Sequence, residues 1–394
     1  MRILFITAGV HPVPPVKGGA VENLTDFILK SNHEDEIDVY SIYDREAVKN
    51  SSKYVNVNFN FIKCFGIMNN VYKYIEKVFR RVFKIYTGNY YIKQVCRNIK
   101  KSKKSYDFII IENMPQFGLV LKKKTNDKLI LHLHNDYLNT MSFKANSICE
   151  CYNKILCVSN FITNRVMKIN EKSQKIITLY NGIDLKSFSV ISSTNEIFKK
   201  YGIDNTKRIF IYSGRVVKEK GVKELIEAFI ELGLKDYQLL IAGSYNYGKE
   251  NDNSFIIELK KVALNGNVIF TGYIPYEEMV ELYSISSFGV IPSIVNEACP
   301  LTAIEMMACE LPIICTNSGG LPELVNEKCG IIVERKDLKE NLKNAIKRIS
   351  LLPEEEIRKY KNEALKKSKE FSKEKYIENF WKIIHKTGGE INEN

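Results

Sequence analysis

Short runs of consecutive apolar residues alternate with segments of helical periodicity along most of this 394-residue chain. Runs such as Phe108 to Ile111 and Ile209 to Tyr212 carry no interspersed polar residues. This is the pattern of parallel strands whose two faces are both covered by helices. After the second run, residues 222, 225, 226, 229 and 232 are apolar, which is the spacing of one helix face. The alternation therefore predicts an α/β fold with parallel sheets.

The alternation is interrupted once, between Phe188 and Lys207, where the chain is more polar and lacks a strand pattern. We therefore expect an N-terminal domain of residues 1–187 and a C-terminal domain of residues 188–372, with a hinge near Asn181 to Asp184. Two domains also agree with roughly 100–200 residues per domain. Both are expected to be doubly wound, Rossmann-like sheets. Ligands bind such sheets beyond the carboxyl ends of the strands, so functional residues are expected in the loops that follow strands.

The lengths of the apolar runs and the cysteine spacing exclude several classes. No run approaches the roughly 20 residues of a transmembrane helix. The nine cysteines are irregularly spaced without a Cys-x-x-Cys pair, which is typical of reduced cytoplasmic thiols. No Cys and His spacing typical of zinc occurs. We expect a cytoplasmic protein without a metal site.

The net charge of +12 is concentrated in one segment. Between Phe61 and Ser105, twelve Lys and Arg residues stand against one acid, Glu76, which leaves 46 basic and 45 acidic residues elsewhere. Cations mixed with aromatic residues suit the surface of an anionic bilayer, and a solvated helix face is the alternative. Nucleic acid is not expected, because no binding motif for it occurs. The candidate contact residues are Arg80, Arg81, Lys84, Lys100, Lys101, Lys103 and Lys104.

The strongest motif is Glu297-Ala-Cys-Pro-Leu-Thr-Ala-Ile-Glu305, which follows a predicted strand and begins a helix, with Pro300 near the first helical position. A helix N-terminus offers free N–H groups and partial positive charge, which suit hydroxyl and phosphate oxygens. Two carboxylates eight residues apart can accept hydrogen bonds from two parts of one ligand. Taken alone, such a pair is more often a helix-start acid and a solvated glutamate.

A second motif, Gly214-Arg215 followed by Lys218-Glu-Lys220-Gly221, also joins a strand to a helix. The guanidinium fork and the ammonium group can hold a diphosphate. Two solvated loop charges are the alternative. The chain contains no Asp-x-Asp pair of the kind that holds a sugar nucleotide through a metal. We therefore expect cationic side chains and helix dipoles to neutralise the diphosphate.

Two further motifs lie in the N-terminal half. Gly18-Gly19 follows the first strand, where paired glycines allow positive φ or close backbone approach, although most such pairs are simple turns. His132-Leu-His134 ends another strand, and the alternation of a strand directs both imidazoles to one face. A histidine on a strand is more often structural than functional.

The segment Gly243 to Lys249 has the spacing of a phosphate-binding P-loop. However, Glu250 stands where such a loop requires the Ser or Thr that binds magnesium. We therefore do not expect a P-loop here.

Gly319-Gly320-Leu-Pro-Glu323 follows the next strand after the Glu297 motif, and with it the chain resembles the retaining family 4 glycosyltransferases of the GT-B fold. That fold consists of two Rossmann-like domains facing each other across a cleft. The resemblance extends from the Gly-Gly loop to Phe371-Ser-Lys before the final helix, and it is weakest over residues 45–105. It implies that the final helix, 373–394, packs back on the N-terminal domain.

The resemblance implies a nucleoside-diphosphate sugar donor, with UDP or GDP, and no cofactor. The implied donor-binding residues are Gly18, Gly19, Gly214, Arg215, Lys220, Glu297, Ala298, Cys299, Pro300, Leu301, Thr302 and Glu305. Catalysis would involve His134, Glu297, Arg215 and Lys220, with Glu305 accepting from ribose hydroxyls. His134 fits the family position near the transferred sugar better than His132, but Asn135 separates it from Asp136.

The acceptor is expected to be a saccharide or a lipid-linked saccharide of cell-surface polysaccharide assembly. The basic segment then suggests peripheral contact with the inner face of the plasma membrane. A non-catalytic subunit of the same fold that binds a sugar nucleotide is the alternative function. A phosphorylase or an epimerase of this shape is a further one.

Overall fold

The computed structural model of the protein describes residues 1–64, 66–169, 174–191, 195–245 and 253–389. The chain forms two compact units, of which the first comprises Met1–Tyr180 and Tyr376–Asn394 and the second comprises Asn181–Lys375. The second unit thus begins at Asn181, within the segment suggested as a hinge, whereas the sequence analysis drew the boundary between residues 187 and 188. Residues 390–394 of the expected final helix lie outside the described residues.

The first unit is a parallel sheet with helices in the connections. Its strands in the described ranges are β1 (Arg2–Ile6), β2 (Glu36–Ile42), β3 (Val57–Ile62), β4 (Phe108–Glu112), β5 (Lys128–Leu133), β6 (Lys154–Cys157) and β7 (Ile176–Thr178). Its helices are α1 (Ala20–Ser31), α2 (Arg45–Ser51), α3 (Ile67–Val82), α4 (Tyr90–Ser102), α5 (Gly118–Leu121), α6 (Ala145–Cys151) and α7 (Asn160–Met167).

The sheet order of the first unit is β3-β2-β1-β4-β5-β6-β7, with parallel pairing throughout. The order reverses between β1 and β4, which are neighbours in the sheet. Their carboxyl ends therefore form a topological switch point, where sheets of this kind bind ligands. Glu112, the last residue of β4, lies directly at this edge.

The second unit repeats this plan. In the part of the chain described here, its strands are β8 (Arg208–Ser213), β9 (Tyr237–Ala242), β10 (Val268–Gly272), β11 (Phe288–Ile291), β12 (Ile313–Thr316) and β13 (Gly330–Val333). Its helices are α8 (Asn195–Tyr201), α9 (Val222–Leu232), α10 (Ser254–Val262), α11 (Met279–Ile285), α12 (Leu301–Ala308), α13 (Leu321–Leu324), α14 (Leu338–Ser350) and α15 (Glu354–Ser368). The final helix, α16 (Lys373–Gly389), carries the chain back to the first unit.

The sheet order of the second unit is β10-β9-β8-β11-β12-β13, again with parallel strands. Its switch point lies between β8 and β11. Strand β9 is buried along its whole length, which agrees with its mainly apolar composition, and Gln238 is its one polar residue. The loops that follow β8 and β11 contain the two strongest motifs of the sequence.

Helix α16 packs on the sheet of the first unit. Tyr376, Phe380 and Ile384 recur at intervals of four residues, are buried, and form one core with Ile3 and Phe5 of β1. The rings of Phe5 and Phe380 are stacked with centroids 6.2 Å apart. Helix α16 therefore contributes one buried face to the core that also contains β1.

No helix among the described residues is both long and apolar enough to cross a membrane.

Candidate functional site

The two motifs of the second unit meet at its switch point. The backbone N–H of Ile294 in the loop after β11 donates to the carbonyl of Glu219 in the loop after β8, at 2.9 Å. Gly221, which precedes α9, has φ +68°, and a Cβ there would lie 2.0 Å from the carbonyl oxygen of Pro292. Only glycine permits this approach of one loop to the other.

Lys220 and Glu297 form an ion pair at this edge. Lys220 Nζ lies 2.5 Å from Glu297 Oε1, and the two side chains are 23% and 13% exposed. The hydroxyl of Ser293 donates to the same carboxylate oxygen. The structure thus brings together two predicted site residues and adds Ser293, which the sequence analysis missed because a single serine after a strand carries no distinctive spacing.

The double glycine after β12 supports Glu297 from the other side. The N–H of Gly320 donates to the carbonyl of Glu297 at 2.7 Å. Gly319 has φ +59°, and a Cβ there would lie 2.1 Å from that same carbonyl oxygen. The loops after β8, β11 and β12 therefore converge on Glu297, so its position depends on all of them.

Gly214 and Arg215 lie in the loop directly after β8. Gly214 has φ +143°, and its carbonyl oxygen would be only 1.9 Å from a Cβ at Gly243. The hydroxyl of Tyr212 donates to the carbonyl of Arg215 at 2.6 Å. These contacts fix the backbone of the loop after β8, whereas Arg215 itself is exposed. Gly248 and Lys249, the end of the segment with P-loop spacing, lie outside the described residues.

The N-terminal turn of α12 faces partly outward. Pro300 is the N-cap residue, and Ala298, Pro300, Leu301 and Thr302 are half-buried. Cys299 is buried, its carbonyl accepts from the side-chain amide of Asn181 at 3.2 Å, and burial raises the pKa of its thiol to about 12. This turn can offer backbone N–H groups to a ligand, whereas Cys299 is a packing residue and not a nucleophile.

Glu305 lies one turn further along α12 and is only 4% exposed. The hydroxyl of Tyr283 donates to Glu305 Oε2 at 3.3 Å and lies 2.6 Å from Ser213 Oγ at the end of β8. Burial raises the pKa of Glu305 to about 7, although hydrogen bonds from Tyr276 and Tyr283 oppose this rise. The predicted ribose acceptor is therefore a buried carboxyl that titrates near neutral pH.

This raised pKa predicts a pH-dependent stability. Because the folded chain binds the Glu305 proton more tightly than the unfolded chain does, stability from this group falls as pH rises from about 4.5 to about 7. Glu305→Gln removes the titration, so the variant should gain about 2–3 kcal/mol relative to the wild type between pH 5 and pH 8. Thermal melts of both proteins across this range measure the difference. A difference in melting temperature that does not vary with pH would contradict the prediction.

The histidines of the first unit lie beside Glu112, at its switch edge. His134 Nε2 is 2.9 Å and His132 Nδ1 3.2 Å from Glu112 Oε2. All three residues are buried, and burial lowers the pKa of His134 to about 4, so its imidazole is neutral at pH 7. The sequence analysis missed Glu112, because its pairing with the histidines depends on the register of β4 with β5, in which Glu112 is opposite His132.

The Gly-Gly loop follows β1 at this same edge of the sheet. Gly18 and Gly19 have φ +70° and +118°, and Gly19 is the N-cap of α1. A Cβ on Gly19 would lie 2.2 Å from Glu22 Oε2, whose carboxylate is buried over the start of the helix. Asp136 pairs with Arg165 of α7 at 2.7 Å and so has a structural role.

The basic segment divides into two groups. Arg80, Arg81 and Lys84 lie at the end of α3, and Lys100, Lys101, Lys103 and Lys104 lie at the end of α4. The second group lies at the end of a helix of 13 residues, which is about 20 Å long at 1.5 Å per residue. The sequence analysis treated all seven residues as one candidate patch.

The two groups also differ in their surroundings. Beside the first, Tyr74, Val82 and Phe83 are 70%, 63% and 58% exposed. In the second, Lys104 Nζ is bound to the buried carboxylate of Asp38 at 2.7 Å, and the apolar face of α4 is turned into the core. Of these two groups, therefore, only the one at the end of α3 combines exposed cations with exposed apolar side chains.

Comparison with known proteins identifies related sequences and folds. The family described as "Glycosyl transferases group 1" matches residues 193–367. A putative glycosyltransferase YtcC of Bacillus subtilis is 26% identical over 365 residues, covering 88% of this chain and 83% of that protein. The uncharacterized glycosyltransferase MJ1178 of Methanocaldococcus jannaschii is 31% identical over 272 residues, covering 66% of this chain and 69% of that protein.

A solved structure extends the comparison to the whole chain. The crystal structure of Anabaena Alr3699/HepE in complex with UDP and glucose matches with a TM-score of 0.72 and 16% identity, covering 98% of this chain and 99% of that one. At this identity the likeness is one of fold. Both units have the Rossmann-like parallel sheets of GT-B glycosyltransferases.

Proposed function

The chain belongs to the glycosyltransferases of group 1, and from that premise we propose that it transfers a hexose-type sugar from a nucleoside-diphosphate sugar to a saccharide or lipid-linked acceptor. The observation that carries the proposal is the convergence of loops on Glu297 at the switch point of the second unit, with Lys220 paired to it. This convergence lies within the region that the family matches.

Charge complementarity assigns the donor diphosphate to Arg215 and Lys220. Both stand in the loop after β8, and the half-buried Lys220 is shielded from water more than a surface lysine. Cationic groups fixed before the reaction stabilise the charge that develops on the leaving diphosphate without reorganisation. The proposed transfer therefore needs no metal ion at the diphosphate.

The carboxylates are assigned to the sugar and the ribose. Glu297 Oε1 already accepts from Lys220 and Ser293, which leaves its second oxygen for a hydroxyl of the transferred sugar. Glu305 lies in helix α12 and accepts a hydrogen bond from Tyr283 of α11. We assign Glu305 to the ribose hydroxyls. The backbone N–H groups at the start of α12 complete the donor contacts proposed for the second unit.

We assign the reaction a retaining course. The acceptor oxygen forms a bond to the anomeric carbon, while the bond from that carbon to the diphosphate oxygen breaks. The acceptor proton passes to an oxygen of the leaving diphosphate, so no protein base is required for it.

A thermal-shift screen against UDP-, GDP-, ADP- and dTDP-sugars tests the proposal. A donor at 100 times its Kd stabilises the folded chain by about 2.7 kcal/mol, which corresponds to a shift of roughly 5–10 °C. A UDP-sugar is expected to give the shift, as HepE was solved with UDP. Arg215→Ala should abolish it, whereas Arg208→Ala, which removes a guanidinium at the opposite end of β8, should retain it.

Product analysis with the identified donor then separates the two candidate functions. Appearance of a glycoside with the donor's anomeric configuration supports a retaining transferase. Donor binding without transfer to any saccharide or lipid-linked acceptor would instead favour the non-catalytic subunit. The absence of any shift at millimolar donor would contradict both, because each requires a sugar-nucleotide site.

We further propose that the acceptor is presented at an anionic membrane surface and that the end of α3 contacts it. Exposed Tyr74, Val82 and Phe83 beside Arg81 and Lys84 combine apolar insertion with attraction to anionic lipid. At about 1 kcal/mol per cation near such a surface, Arg81→Gln/Lys84→Gln should weaken binding to phosphatidylserine vesicles about 10- to 30-fold. Co-sedimentation with the vesicles at low salt measures this loss.

The matched control removes the same charge at the far end of α4. Lys100→Gln/Lys101→Gln should bind these vesicles nearly as well as the wild type, because no exposed apolar side chains adjoin those lysines in helix α4. Equal losses in both variants would indicate a general charge effect and not a contact at α3. Failure of the wild type to bind at low salt would rule out the membrane proposal.

A further inference from the structure

Glu112, His132 and His134 bring three potential metal ligands together inside the first unit. Strands β4 and β5 pair in register, which places Glu112 opposite His132, and His134 follows two residues later on the same face. One nitrogen from each imidazole and one carboxylate oxygen lie within 4.8 Å of one another. The three side chains are 0–3% exposed, so solvent does not separate them.

The ligand types and distances suit a small transition-metal ion. Two imidazoles with one carboxylate are a donor set of zinc sites, whereas magnesium and calcium prefer oxygen ligands alone. Metal–ligand distances of about 2.0–2.2 Å place neighbouring ligands of a tetrahedral ion roughly 3.3 Å apart. Glu112 Oε2 is 2.9 Å from the His134 nitrogen and 3.2 Å from the His132 nitrogen, so small outward shifts suffice.

Within the described residues, most polar side-chain atoms of Glu112, His132 and His134 have no hydrogen-bond partner. Buried atoms without a hydrogen-bond partner there include both ring nitrogens of His132, Nδ1 of His134, Oε1 of Glu112 and the hydroxyl of Tyr376. Each such atom costs about 1–3 kcal/mol if nothing binds it. A concentration of them around one carboxylate indicates an additional bound group.

We propose that Glu112, His132 and His134 bind one divalent metal ion of the zinc class in the first unit. The ion takes Oε2 of the glutamate and the two facing nitrogens, which gives His132 the partner that it lacks. A water molecule in the fourth position can hydrogen-bond Glu112 Oε1. The rings of Tyr376 and Phe380, each 6.2 Å from that of His132, form an aromatic side to the site.

The three ligands belong to the first unit, whereas Arg215 and Lys220 of the proposed diphosphate contacts belong to the second unit. The proposed site also departs from the expectation of no metal that the sequence supported. That expectation rested on Cys and His spacing and on the absence of an Asp-x-Asp pair. Neither pattern detects a glutamate on one strand that faces two histidines on its neighbour.

Equilibrium binding of zinc to the full-length chain tests the proposal. Protein stripped with a chelator is dialysed against buffered Zn²⁺, and bound metal is measured by elemental analysis. The wild type should retain one zinc ion per chain. Glu112→Gln, which keeps the size of the side chain, should raise the Kd for zinc at least about 100-fold, beyond the 10- to 100-fold effect of losing an outer partner. His132→Asn should do the same.

The control is His385→Asn, which removes an exposed imidazole from α16. It should bind one zinc ion with unchanged affinity. Substitution with Co²⁺ adds a spectroscopic readout, since a tetrahedral cobalt site gives strong visible absorption, which Glu112→Gln should lose. If the wild type binds no zinc, or if Glu112→Gln binds as the wild type does, the three side chains form a hydrogen-bonded group and not a metal site.

Discussion

Replacing Lys220 with alanine is expected to lower kcat/KM for sugar transfer about 100- to 1000-fold, the loss typical of removing one preorganised donor to a developing negative charge. The ammonium group is fixed before any ligand binds, because it is held at 2.5 Å by Glu297. Its loss also leaves that half-buried carboxylate with Ser293 alone. We expect kcat to fall more than KM rises, since the leaving diphosphate gains charge in the transition state.

Lys223→Ala is the matched control. Lys223 lies three residues after Lys220, in the first turn of α9, but its ammonium is paired with Glu258 on an exposed surface. Exposed pairs contribute about 0–1 kcal/mol, so this variant should keep nearly full activity. Initial rates with the donor from the thermal-shift screen measure both variants. Equal activities of Lys220→Ala and the wild type would contradict the role assigned to Lys220.

Where burial on both faces leaves an uninterrupted apolar run, the sequence predicts the fold well. Strand β4 and helix α9 appear at the positions that their patterns indicate. Strand β3 was not predicted, because Asn58 and Asn60 interrupt its apolar residues as in a half-exposed edge strand. The second unit starts at Asn181, within the hinge suggested by the sequence, but the hydrogen bond of Asn181 to Cys299, more than one hundred residues away, has no local pattern that indicates it.

Residues of the candidate site could be predicted where they belong to a motif with a fixed spacing along the chain. Lys220 and Glu297 were both named from motifs that join a strand to a helix, and the structure brings them together. Ser293, Tyr283 and Glu112 were missed, because each meets its partner across neighbouring strands or loops. Their roles depend on the order and register of the strands, which motifs within single loops do not contain.

Gly319→Ala is expected to destabilise the protein by about 3 kcal/mol. The αL conformation at φ +59° costs a non-glycine residue about 1–2 kcal/mol. A Cβ would also lie 2.1 Å from the carbonyl oxygen of Glu297 and 2.8 Å from its nitrogen, where only backbone movement relieves the clash. That movement breaks the Gly320 N–H bond to Glu297, a loss of about 1 kcal/mol.

Gly233→Ala separates the cost of the backbone angle from the cost of the clash. Gly233 has nearly the same φ, +57°, but a Cβ there meets nothing within 4 Å. It should lose only about 1–2 kcal/mol, or roughly 2–8 °C in melting temperature, against roughly 6–12 °C for Gly319→Ala. Thermal melts by circular dichroism compare the two. Equal losses would mean that the Gly319 loop can move away from Glu297 without cost, and would remove the argument that the packing of this loop fixes the position of the carboxylate.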